Sequence, residues 1–229
     1  MSKMPRLVRL FHITAIDNLA AIFKQGTLLC KQHTDQQGIA YQNIAHAGAQ
    51  SARAHRPVID PPGGSIHDYV PFYFAPRSPM LSAIHNSKVK NCSYRQEDIV
   101  HFELFAKHAK AEGMKAFVFY DRNATKCYSK SYTDPAVLKD VVDWGILTEE
   151  PTLDGFCKYF HDRHDNPEYI DRMEKRQAEF LIKDQVPVAW FSRIGVINET
   201  KAQKVRCLME RFEVNLRVDV MTDWYFLEQ

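Results

Sequence analysis

The cysteines of this chain make no pattern. Cys30, Cys92, Cys127, Cys157 and Cys207 are scattered, odd in number and never in a CxxC pair. That argues against a disulfide framework and a thiolate zinc site, leaving free thiols. Glycine is scarce, nine in 229 residues, and none falls in a GxGxxG or GxxxxGKS/T run, so the standard phosphate-cradling loops are absent. HExxH is missing too. His161 and His164 in YFHDRHD bring two imidazoles close in sequence without an obvious third ligand, so no metal is expected. No apolar run approaches the ~18 residues of a membrane span. The start, MSKMPRLVRLFHIT, lacks a leader segment with a small-residue cleavage site. The expectation is a cytoplasmic protein with no membrane partner.

What is present is ordinary globular stock, 45% hydrophobic and 25% charged. It suffices for one cored domain over residues 1–229, taken to act as a monomer. The net charge of +2 is unevenly held, +7 over residues 1–134 and −5 over the rest. A basic half attracts phosphate-bearing partners, although a charge excess is equally a solvated face. Periodicity predicts a strand at LVRLFHIT, then a helix over TAIDNLAAIFKQGTLL with Thr14 or Asp17 as N-cap and Gly26 as its stop. A helix is expected around Ile44 to Arg53, a strand at YVPFYFAP, and a helix at SPMLSAIHN with Pro79 in its first turn. DIVHFELF, AFVFYD, WFSRIGVIN and NLRVDVMTDWYF read as strands, and ETKAQKVRCLMERF as a helix. RQAEFLIKDQVP is helix or strand by pattern alone, and Arg122 to Arg172 should hold helices and a long loop. Without regular βαβ alternation the class is α+β.

One segment asks for more than a core role. In HDYVPFYFAPRSPM, His67 to Met80, four aromatics alternate with apolar residues, and two prolines bracket an arginine. With FHIT and its following helix, FVFYDRN, RQAEFLI and the terminal DWYF, it resembles the DarT family of bacterial DNA ADP-ribosyltransferase toxins. The likeness runs over nearly the whole chain in the same order. It implies the ADP-ribosyltransferase fold, split central mixed or antiparallel sheets with flanking helices. It also implies NAD as donor, a base in single-stranded DNA as acceptor, and a macrodomain antitoxin of the DarG type as partner. On this resemblance the aromatic strand and its Pro-Arg-Ser-Pro turn wall the NAD cleft.

Each matching residue has work it can do. Cleaving the nicotinamide bond passes through an oxocarbenium-like sugar, which needs a carboxylate near the ribose. Glu179 matches the family's catalytic glutamate; from sequence alone it is also a plain solvated residue. His12 in FHIT matches the position that grips the NAD ribose, with Thr14 and Asn18 beside it. Tyr73 suits stacking on nicotinamide, with Phe72 and Phe74 as rivals if the alternation is off by one. Arg77 suits the NAD phosphates or the anchoring of its own turn. Met80 and Leu81 fall on the adenine side or in the core. Arg53 matches an arginine at the reaction centre, with Arg56 a neighbour in the same loop. Asn123 stands where some relatives carry histidine, and an amide cannot titrate. Trp144, Tyr159 and Tyr169 are candidates for stacking on the bases of the DNA strand, or for the core. Thymine is the expected base. Guanine, RNA or protein acceptors, or an idle nucleic-acid-binding module, are the alternatives.

Overall fold

The computed structural model describes residues 4–111 and 116–227. The N-terminal strand β1, Arg9–Ala15, feeds a 3-10 turn over Ile16–Asn18 and helix α1, Leu19–Gln25. The expected helix is therefore shorter at its N-terminal end. Thr14 is held in the ladder opposite Val100, so neither it nor Asp17 caps the helix. Gly26 ends it as expected, with φ of 65°, a left-handed conformation that costs a residue without Cβ little. TLL then turns out as β2, Thr27–Leu29, followed by α2, Lys31–Gln36, and α3, Ala47–His55. The aromatic run gives β3, Tyr69–Tyr73, and α4, Pro79–His85, whose N-cap Ser78 accepts from the Leu81 amide.

Beyond them lie β4, Ile99–Phe105, α5, Ala106–Ala111, and β5, Phe117–Tyr120. The stretch expected to mix helices and loop is short pieces: β6 (Ser131–Tyr132), α6 (Leu138–Val141), α7 (Trp144–Thr148), β7 (Thr152–Leu153), β8 (Phe156–Cys157) and α8 (Arg172–Lys175). The ambiguous segment resolves as strands β9, Glu179–Lys183, and β10, Gln185–Pro187. The chain closes with β11, Arg193–Val196, α9, Glu199–Arg211, and β12, Val218–Val220. Helix α9 turns Ala202, Val205 and Met209 inward and is capped by Asn198, which accepts from the Lys201 amide.

The fold is α+β. Eight strands form one sheet in the order β12-β11-β4-β1-β3-β9-β5-β6, antiparallel except for the β11–β12 pair. The expected split lies within it. β1 pairs with β4 over seven positions and β3 with β9 over five, yet β1 and β3 share only Phe11↔Tyr73. Beyond that one position the two halves diverge and leave a seam.

Candidate active site

The seam is where the candidate residues gather. His12 and Pro71 face each other across it, with His12 Nδ1 2.8 Å from the Pro71 carbonyl. A carbonyl only accepts, so Nδ1 carries the proton. Burial holds the ring neutral, its pKa pushed down to about 4. Nε2 is left as an acceptor, the role a sugar hydroxyl requires.

A cavity of about 330 Å³ opens over the seam, lined by His12, Arg53, Pro71, Tyr73, Met80, Asn123, Thr125 and Gln177 among others. A second, about 150 Å³, adjoins it and shares His12, Gln50, Arg53, Pro71 and Met80 while adding Thr14, Asn18, Lys31, Tyr41 and His67. Asn18 spends its amide on Thr14 Oγ1 and on the backbone of Gln42, pinning the 40s loop over this end. Strand alternation settles the aromatic question. Phe72 and Phe74 are buried in the core, and Tyr73 faces the larger cavity. Burial, with the Glu179 carboxylate nearby, raises the Tyr73 pKa, so the phenol keeps its proton.

Glu179 opens β9, paired with Tyr73 on one side and Tyr120 on the other. Only 1% exposed, it receives both of its hydrogen bonds from Arg53 Nη1, at 2.9 and 3.1 Å. Arg53 reaches it from α3 and also lines the cavity. The other terminal nitrogen of Arg53, Nη2, is buried without a partner among the described residues. It is a donor held ready for something else.

Three expectations need correction. Arg77 does not enter the cleft. Its guanidinium, 2% exposed, donates to the carbonyls of Lys158 and Cys157 at 2.9 and 3.1 Å and so ties the β3–α4 corner to β8. It lines a separate cavity of about 230 Å³ with Thr222 and Asp223. Leu81 is fully buried core, because α4 turns it inward from its N-cap while Met80 looks into the cleft. Trp144 is core as well: its indole donates to the Leu138 carbonyl and packs edge-on against Phe74, 5.7 Å between centroids. Tyr159 is 52% exposed. Tyr169 bonds Glu149, lies 4.0 Å from the Arg172 guanidinium and lines a cavity of about 640 Å³ that shares no residue with the seam. That cavity carries five carboxylates against three cations, a poor match to a dinucleotide's phosphates.

Gln50, Tyr41 and Lys31 also line the cleft and carried no sequence signal. Gln177 had one, since it lies two residues before Glu179.

A carboxylate locked to a guanidinium beneath a dinucleotide-sized cleft, in a split sheet, is the equipment of an enzyme that breaks and remakes glycosidic bonds. Residues 11–226 match the family described as DarT, ssDNA thymidine ADP-ribosyltransferase. The chain is 33% identical over 226 residues to a DNA ADP-ribosyl transferase of Thermus sp. strain 2.9, covering 97% of this chain and 98% of that one. It is 31% identical over 226 residues to one from Escherichia coli O127:H6, covering 97% and 95%. The solved Thermus sp. 2.9 DarT in complex with ADP-ribosylated ssDNA superposes with a TM-score of 0.84 over 98% of this chain and 99% of that one, at 33% identity. The same protein in complex with NAD+ gives 0.80 at 32% identity, over 97% and 99%. This chain belongs to the DarT family.

Proposed function

We propose that this protein transfers the ADP-ribosyl group of NAD to thymine in single-stranded DNA. One observation carries the reading most: the Arg53–Glu179 pair at the edge of the seam, with Arg53 Nη2 unpartnered. NAD lies along the two joined cavities, its ribose on His12 and its nicotinamide against Tyr73. As the bond from ribose C1′ to nicotinamide breaks, positive charge develops on the sugar. Glu179 stabilises that charge. Thymine N3 loses its proton to the carboxylate and bonds C1′, while nicotinamide leaves neutral. Arg53 neutralises the charge that grows on the base as its proton departs. N3 is paired inside a duplex, so a single strand is required.

The same reading makes the protein the toxin of a toxin–antitoxin pair, opposed by a macrodomain of the DarG type that removes the modification. It acts as a monomer in the cytoplasm. Among the described residues no helix is long and apolar enough to cross a membrane. The test is incubation with labelled NAD and three nucleic acids: a thymine-containing single strand, its duplex, and a strand without thymine. Label on the first alone is expected. Equal labelling of the thymine-free strand overturns the base assignment, and label on protein or nowhere overturns the reaction.

A further inference from the structure

Three residues past β5 the chain makes a tight corner at Asn123. Its Oδ1 accepts from the Thr125 amide at 3.0 Å and from the Thr125 hydroxyl at 2.6 Å. Ala124, fully buried, anchors the corner. Two donors on one side-chain oxygen settle which way the amide faces, because the flipped form would set an NH2 group against the Thr125 N–H. Nδ2 is then a donor with no protein acceptor among the described residues. Asn123 belongs to the wall of the larger cavity, the same wall that holds Arg53, Tyr73 and Gln177. Arg53, on the same wall, holds another unspent donor, its buried Nη2, which has no partner among the described residues.

Two such donors on the wall of one cavity, one of them carried by the arginine that holds Glu179, make a template. Thymine and uracil present acceptor, N–H, acceptor along the edge that contains N3, with O2 and O4 flanking the ring nitrogen. Guanine presents a carbonyl, an N–H and an amino group. Cytosine and adenine each set an amino group beside a bare ring nitrogen. Only the imide edge satisfies both donors while turning an N–H toward Glu179. Any other base leaves a donor facing a donor in a buried site, a mismatch that a site built for hydrogen bonding rejects strongly.

We propose that Asn123 reads the acceptor base, donating through Nδ2 to the imide carbonyl at position 4 while Arg53 Nη2 takes the one at position 2. This rests on the transferase reading and adds the residue that sets its base preference. Asn123 performs no proton transfer; it is a specificity and positioning residue. Nothing in this template touches the 5-methyl group, so deoxyuridine is accepted as readily as thymidine.

The experiment compares single strands carrying one reactive site: thymine, uracil, 4-thiothymine or cytosine. Wild-type protein is expected to label thymine and uracil within a few-fold of one another, 4-thiothymine roughly tenfold more slowly, and cytosine hardly at all. Asn123→Asp keeps the turn but replaces the donor by an acceptor. It is expected to lose roughly a hundredfold or more on thymine and to shift the thymine-to-cytosine ratio toward cytosine. Asn123→Ala is expected to lose roughly tenfold on thymine and to erase the penalty for the thio base. Thermal unfolding of each variant reports folding separately. Should Asn123→Asp fail to fold, the uracil and 4-thiothymine comparisons on wild-type protein still decide. Variants that lose rate with an unchanged base ratio, or a wild-type protein indifferent to sulfur at position 4, overturn the assignment while the transferase reading stands. A wild-type protein that labels none of the strands overturns that reading, and this one with it.

Discussion

Replacing Arg53 by methionine strands a carboxylate. Glu179 is 1% exposed and takes its hydrogen bonds from this one guanidinium at 2.9 and 3.1 Å. At an effective dielectric of 20 the gross attraction at that spacing is ~6 kcal/mol. Most of it offsets the cost of bringing two charges out of water. Removing only the arginine leaves that cost uncompensated, about 3–5 kcal/mol. Glu179→Gln is gentler, because the amide oxygen still accepts from Arg53 and no anion remains to be solvated. The double variant should therefore be more stable than Arg53→Met alone. Urea unfolding of the four proteins closes the cycle, with midpoints read at constant slope. Activity follows a different order: both single variants are expected to lose at least ~10² in rate. If Arg53→Met and the double variant unfold at the same midpoint, Glu179 is not a buried anion dependent on Arg53, and the account of the site fails.

Other consequences are as open to measurement. His101 is buried and His12 half-buried, and desolvation keeps both rings neutral, their pKa values pushed down to about 3 and about 4, so the unfolded chain binds protons the folded one refuses. Stability is thus full above pH ~6.5 and falls as pH drops toward 4, by ~3 kcal/mol for each ring at that point. His101→Gln should flatten this slope; an unchanged slope would mean the ring titrates freely in the fold. Arg77→Met should cost ~1–3 kcal/mol through the two carbonyls it abandons and leave the KM for NAD unchanged; a raised KM would put Arg77 back in the cleft. Gly195→Ala would place a Cβ 2.1 Å from the fully buried Trp224 ring, so a loss of ~1–3 kcal/mol or more is expected. A neutral outcome would mean that ring can move.

Much of this was legible in the residues, and what was not has physical reasons. The α+β class followed from strands and helices mixed without a repeat, and β1, β3, β4 and α9 fell close to where periodicity puts them. Whether RQAEFLI was helix or strand turned on a five-residue buried run, Ala178 to Ile182, too short for one period to exclude the other. The seam was invisible, since it depends on strands sixty residues apart meeting at a single position. Alternation along β3 leaves open which face meets the cleft until the sheet is assembled, and in the structure it is Tyr73 that lines the cavity while Phe72 and Phe74 are buried. Arg77 misled because a Pro-Arg-Ser-Pro corner fixes where the chain turns and leaves open which way its arginine points. Trp144 misled through exposure, which the sequence of a segment built from short pieces does not reveal.

Strand order also dictates when the enzyme can exist during its own synthesis. β9 lies between β3 and β5, so the half-sheet that carries Tyr73 has no middle until residue 183 has been made. A chain stalled or cut before that point owns His12, Arg53 and the aromatic strand. It lacks both the carboxylate and the backbone that fixes Tyr73, and β3 and β5 are left as open edges. No short fragment is a weaker version of the enzyme. Chemistry directed at DNA is switched on by the last quarter of the chain, and interrupted translation yields inert product.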